Sequence, residues 1–189
     1  IQWAQGETGS WETETLHKVS SSTYPFMSMA LSDGPHIALR YSGQMWHLAE
    51  MNDWDFQGVD MGFATWNALE FDTAGTGHMV AVEHLIGQAD TDAQLMQTTF
   101  AIRHATYKNG QWQTQASIEA YEGWLGYPEL DGQGKLPSTS IDMALDDDGY
   151  PHLAYFYPAD ATDPATAWGL RYAVQTKQGW SIETIDEHA

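Results

Sequence analysis

Met143-Ala144-Leu145-Asp146-Asp147-Asp148-Gly149-Tyr150-Pro151-His152-Leu153-Ala154-Tyr155 is the stretch on which the architecture turns. A short apolar segment runs into an Asp/Gly turn, and a histidine then opens a second apolar segment. Such runs read as paired strands, because Gly supplies the positive φ of a tight turn and Asp satisfies its backbone N–H groups. The same text occurs twice more. Met29-Ala30-Leu31 leads to His36-Ile37-Ala38-Leu39, and Leu69-Glu70-Phe71 leads to His78-Met79-Val80-Ala81-Val82.

A second phrase follows each copy and also opens the chain. Ile1-Gln2-Trp3-Ala4 leads to Trp11, Trp46-His47-Leu48-Ala49 to Trp54, Ile102-Arg103-His104-Ala105 to Trp112, and Leu170-Arg171-Tyr172-Ala173 to Trp180. Joined, the phrases spell strand a, tight turn, strand b, loop, strand c, hairpin, strand d. A four-stranded unit repeated every ~40–70 residues is the signature of a β-propeller blade. The expected fold is therefore all-β. Complete antiparallel blades fall at 20–60, 61–119 and 138–186, strands c and d of a further blade at 1–16, and an inter-blade insertion at 120–137. Closed propellers need about four to eight blades. The chain is thus expected to belong to a larger propeller or assembly, its open edges covered by further blades or another protein chain. It opens at Ile1 without an initiator Met or signal peptide, and reads as mature, trimmed or excerpted.

The phrases around Met143-Ala144-Leu145 and His152-Leu153-Ala154, with Leu170-Arg171-Tyr172-Ala173 and Gly179-Trp180-Ser181-Ile182-Glu183-Thr184-Ile185-Asp186, resemble bacterial BNR-like or sialidase-like β-propeller repeats over essentially the whole chain. The resemblance implies a propeller. Such blades carry lectins, lyases, glycosidases and adhesive scaffolds alike. The strict Asp-box, Ser-x-Asp-x-Gly-x-Thr-Trp, is absent.

Composition narrows the partners. The 189 residues hold 26 Asp+Glu against 7 Lys+Arg, a formal charge of −19, and no Cys. Nucleic acid is excluded as a partner, since binding it means neutralising phosphates with Lys and Arg. No apolar run reaches the ~18 residues of a membrane span. Disulfides and Cys-based metal or redox sites are impossible. Strong acidity suits an extracellular or periplasmic setting.

Alternating strand direction puts all b–c and d–a connections at one end of a blade. The long insertions read as 86–98, 120–139 and 158–167, all of that kind, while a–b and c–d links are short. Variation at one end of a repeat marks a binding face. Trp124, Tyr121 and Tyr127 fall in these stretches and Trp168 directly follows the last, with Tyr41, His84 and Glu83 at the ends of b strands. Flat aromatic rings pack on sugar C–H faces while carboxylates pair with hydroxyls, so the expected ligand is a neutral carbohydrate. The expected function is a secreted glycan-binding or adhesive module. One alternative is a polysaccharide lyase or glycoside hydrolase in which His84, Tyr157 and Arg40 supply base, acid and charge neutraliser. Another is a structural protein joined through blade edges. His36, His78 and His152, and Trp11, Trp54, Trp112 and Trp180, recur at fixed places and read as architecture. No cofactor and no metal site is expected. The run Asp146-Asp147-Asp148-Gly149 is calcium-like but lacks the spaced ligands and distal Glu of an EF-hand.

Overall fold

The computed structural model describes residues 2–7, 10–15, 27–41, 43–50, 54–62, 64–90, 95–126, 140–158 and 168–187. These residues contain strands and turns and no helix. β1 (Gln2–Glu7) and β2 (Ser10–Thr15) form an antiparallel hairpin. The first sheet runs β3 (Met27–Leu31), β4 (Pro35–Tyr41), β5 (Gln44–Glu50), β6 (Trp54–Val59). The second runs β7 (Ala64–Phe71), β8 (Gly77–Asp90), β9 (Leu95–Lys108), β10 (Gln111–Thr114), with β11 (Glu119–Gly126) also paired to β9. The third runs β12 (Ile141–Leu145), β13 (Pro151–Pro158), β14 (Trp168–Thr176), β15 (Gly179–Asp186). Each sheet is an antiparallel meander in chain order, as strands joined by short turns must be.

Turn chemistry fixes the hairpins. Asn109 and Gly110 both have positive φ (54° and 79°), the two-residue turn whose twist matches the flanking strands. Asp72 Oδ1 accepts from the N–H groups of Ala74 and Thr76, at 2.9 and 2.7 Å. Asp146 Oδ1 accepts from Asp148 and Tyr150 in the same way, at 3.0 and 2.8 Å. Gly75 and Gly149 close these two a–b turns with φ near +80°.

Strand alternation turns one face of each sheet to the next. Ala30, Ala38, Met45 and Val59 of the first sheet share a core with Leu69, Met79, Ala81 and Ala105 of the second. The opposite face of the second, including Ala68, Val80, Val82, Phe100 and Ile102, packs on Met143, Leu153, Tyr155 and Ala173 of the third. The second sheet is therefore sandwiched. Contact is heaviest between first strands, β3 on β7 and β7 on β12, and light where β6 nears β10. The a–b turns lie side by side: Ser32 and Asp33 share a cleft with Thr73–Gly75, and Asp72 shares one with Asp146 and Gly149.

Two features differ from the sequence reading. Residues 86–90 and 95–98 are strand rather than irregular loop, and 91–94 lie outside the described residues. β8 and β9 continue as paired strands to Asp90 and Leu95, with a register shift between Ile86 and Ala89. Residues 119–126 are likewise strand. β10 and β11 are two halves of one bulged outer strand, held through the break by Gln115 N–H to His104 O and Ile118 N–H to Ile102 O. Added strand pairing satisfies the backbone that an insertion would otherwise leave to water. The remainder of 120–139 and residues 159–167 lie outside the described residues.

The second difference is a one-residue slip. Ala38, Val80 and Ala154 pair with His47, His104 and Tyr172, so these three are equivalent. The sequence phrase had aligned His47 with Arg103 and Arg171. Their true counterpart is Trp46.

Candidate functional site

Each sheet carries a cross-strand polar chain beside its a–b turn. In the first, His36 Nδ1 and His47 Nε2 are 3.0 Å apart, with ring centres 5.2 Å apart and planes only 12° from parallel. That separation is the N···N distance plus two ring radii, so the rings lie edge to edge. His36 Nε2 donates to Asp33 Oδ1 at 3.1 Å. Its Nδ1 is then the acceptor, and His47 Nε2–H is the donor. In the second sheet His104 Nδ1 donates to Gln115 Oε1 at 3.3 Å, so its Nε2 accepts from His78 Nδ1–H at 3.1 Å. The proton order is reversed because the anchoring acceptor sits at the other end. In the third, His152 Nε2 donates to Asp146 Oδ2 at 3.3 Å and Nδ1 accepts from the Tyr172 hydroxyl.

These chains also join the sheets. Trp112 of the second sheet meets the His47 ring edge-on at 5.1 Å, and Trp180 of the third meets His104 at 5.3 Å. Burial, then the neighbouring His36, depresses His47 to a pKa of about 4. Burial, then His78, depresses His104 to about 4 as well. Both are neutral imidazoles near neutrality and serve packing.

Asp146 has both oxygens engaged, Oδ1 by the turn and Oδ2 by His152. The Tyr150 N–H is the main cause holding its carboxyl below the usual range. Among the described residues no group of three His, Cys, Asp or Glu could hold a metal ion. The cleft at this end is lined by Glu70, Asp72, Asp146 and Asp147. Burial, then Asp142, pushes Glu70 up.

The opposite end is built differently. Tyr41, Glu83 and Tyr157 occupy one equivalent position, as the paired registers of Arg40, Val82 and Phe156 beside them require; it falls at the b–c end of β4 and β13, but in the middle of the longer β8, so Glu83 does not end its strand. Glu83 is buried and paired with Arg103, whose Nε and Nη2 both lie 2.5 Å from Glu83 Oε2. Arg171, equivalent to Arg103, pairs with Glu119, stands 3.9 Å over the Tyr157 ring, and shares Glu119 with the Tyr155 hydroxyl at 2.5 Å. Each interface between sheets thus holds one Arg–Glu pair near its b–c end. The sequence reading missed Arg103, Arg171 and Glu119. The repeated Arg on strand c was the available signal, but its carboxylate partner comes from a different place in each copy.

The other candidates fall as follows. His84 is mid-strand in β8, opposite Phe100, and not at a strand end. Tyr121 and Trp124 are on β11, opposite Phe100 and Gln97. Trp168 opens β14 opposite Pro158. Tyr41 packs beside Ile37, Leu39 and Leu48 on the outward face of the first sheet. Tyr127 lies outside the described residues. The backbone therefore brings Tyr41, Glu83, His84, Tyr121, Trp124 and Trp168 to the end of the sheets opposite the a–b turns. Arg40 and Tyr157 are not brought together. Arg40 pairs with Met45 on the face turned to the second sheet, Tyr157 lies in the core between second and third, and the middle sheet stands between them.

No helix of the described residues is long and apolar enough to cross a membrane. No family model matches the chain, and no curated protein matches it. Among solved structures the chain is similar to a fucose lectin from Kordia zhangzhouensis in complex with methyl-fucoside. The identity is 15% and the TM-score 0.44, over 85% of this chain and 99% of that one. The described residues form an all-β structure of stacked antiparallel meanders together with the β1–β2 hairpin, and at that distance no residue role crosses to this chain from the lectin.

Proposed function

We propose that this chain is a secreted glycan-binding module whose sheets are blades of a β-propeller, and that its ligand is a neutral carbohydrate held at the b–c end. The blade reading is supported by face-to-face stacking of equivalent sheets with their first strands in contact. The observation that carries the site is the β8–β9–β11 extension. It lengthens one end of the molecule and carries Tyr121 and Trp124 there, at the same end as Trp168. Aromatic residues suit the C–H faces of hydroxyl-rich ligands, and Arg103 and Arg171 near this end are already paired with Glu83 and Glu119. A charge of −19 repels uronate and sulfated polymers.

A lyase would need Arg40, Tyr157 and His84 around one proton, and the middle sheet separates the first two. That leaves binding as the better reading. The test is a glycan array with wild type, Trp124→Ala and Trp168→Ala. Wild type retains a neutral oligosaccharide, and each variant weakens binding about tenfold or more with its circular dichroism unchanged. A wild type that holds no neutral glycan, or variants that bind as well, would refute the proposal.

A further inference from the structure

One cleft beside the a–b turns breaks the repeat. It lies between the first two sheets, holds about 460 Å³, and is lined by Ser32, Asp33 and His36 on one side and by Phe71, Thr73 and Tyr107 on the other. That volume is inside the ~300–1,000 Å³ range of small-molecule sites. Phe71 pairs with Gly77, where the first and third sheets pair Leu31 with Pro35 and Leu145 with Pro151. Tyr107 pairs with the repeated Trp of strand d, where the other copies have Glu50 and Gln175. Neighbouring positions therefore change together in the second sheet alone: Phe for Leu, Gly for Pro, and Tyr for Glu or Gln.

Gly77 makes the change possible. A Cβ there would lie 2.7 Å from the Phe71 ring and 3.0 Å from the Tyr107 Cβ. In its absence the Phe71 and Tyr107 rings stand 6.0 Å apart at 70°, as two walls of a corner. The buried His36 ring lies 4.1 Å from Phe71. To the corresponding cleft between the second and third sheets, the third sheet brings Leu145 and no ring. An aliphatic side chain meets the packing need there, so the aromatic corner has another cause.

Electrostatics supply one. An aromatic ring is negative over its face and attracts a cation. Asp33 stands at the open rim, its side chain 82% exposed. Among the described residues lining the cleft there is no Lys or Arg. His36 donates through Nε2 and accepts through Nδ1, so it is a neutral imidazole. Burial, then Asp33 and Asp55, push the Tyr107 hydroxyl above its usual range, the mark of a negative field. Asp33 Oδ1 already accepts from His36 at 3.1 Å. A primary ammonium needs several acceptors to replace its water. A quaternary ammonium donates no hydrogen bond and needs only the field and the rings.

We propose that this cleft is a separate binding site for a small organic cation that carries a quaternary ammonium group and no anionic group. The ammonium sits in the corner of Phe71 and Tyr107, and Asp33 balances its charge.

The test is calorimetric titration of choline chloride into the full chain, with ionic strength held constant by sodium chloride. Saturable binding at one choline per chain is expected. Phe71→Leu and Tyr107→Gln introduce the residue types of the other copies, and each should weaken binding about tenfold. Asp33→Asn keeps an acceptor for His36 but loses the charge, and should weaken it severalfold. Thermal unfolding of each variant verifies that the fold is kept. The alcohol in which carbon replaces the choline nitrogen, and phosphocholine, whose anion Asp33 repels, should both bind at least about tenfold more weakly. Absent or unsaturable binding overturns the proposal. So does equal binding by folded variants, by the uncharged alcohol or by phosphocholine. Neutral-glycan binding at the other end is unaffected by each of these results, so either proposal can fail alone.

Discussion

Gly62 shows how much one residue decides. Its φ of +64° is a conformation that L side chains rarely adopt, and a Cβ there would overlap the Glu83 carboxylate. Glu83 is buried and its charge is met by Arg103. Breaking a buried pair by displacing one partner costs far more than the pair contributes, because it strands a desolvated charge. Gly62→Ala should therefore lose about 2–4 kcal/mol, part backbone and part displaced carboxylate. Urea unfolding measures it. A loss under about 0.5 kcal/mol, the range of an indifferent surface change, would show that Glu83 moves aside freely. None of this was legible from the residues. Gly62 follows Met61 in a stretch with no turn signal, and Glu83 reads as a polar residue beside His84. Only pairing brings Ala64 opposite Glu83 and fixes what Gly62 must avoid.

At the scale of elements, the b and c strands are tied by their histidines, and these make the fold acid-sensitive. His47 and His104 are held at about 4, chiefly by burial, while an unfolded histidine titrates near 6.5. Between those values the unfolded chain binds more protons than the folded one. Stability is thus full above about pH 6.5 and falls as pH drops toward 4, by about 3 kcal/mol for each residue. His78 is depressed too, mainly by burial, and adds to the loss in the same direction. Urea unfolding at pH 7 and pH 4.5 should show the drop, and His104→Gln should remove about half of the part due to the two deeper histidines. Equal stability at the two pH values would contradict the geometry of the pairs. The repeat of His36, His78 and His152 marked these positions in the sequence, and strand b could be read directly. Strand c could not be registered as well. Trp46-His47-Leu48-Ala49 resembles Ile102-Arg103-His104-Ala105 at the wrong offset, because a shared Ala outweighed the shared His. Strand length was misread for a related reason. Leu95–Lys108 mixes Gln, Thr and His with apolar residues, since β9 is flanked by β8 on one edge and by β10 and β11 on the other, and such pairing leaves no mark on composition.

For the whole molecule, the repeat made the three meanders legible, and with them the separation of two ends. The a–b end varies little: the second and third copies share an Asp-capped turn, at Asp72 and Asp146, and the first carries the shorter turn Ser32–Gly34. The b–c end is where the copies diverge, in Tyr41, Glu83 and Tyr157 at one equivalent position and in the long β8–β9–β11 extension. Divergence on a common scaffold is what a ligand site requires, since it places different chemistry on equivalent supports. The sequence located that end but could not resolve strands within it. Its aromatic residues give no period once a bulge interrupts the alternation. Hydrogen–deuterium exchange of the intact chain, with and without the neutral oligosaccharide best retained on an array, tests ligand binding at that end most directly. Protection at 83–90, 95–101, 119–126 and around Trp168, with the turns at 32–34, 72–76 and 146–149 unchanged, is the predicted result. Protection concentrated at those turns would contradict it, as would the absence of any neutral glycan that binds.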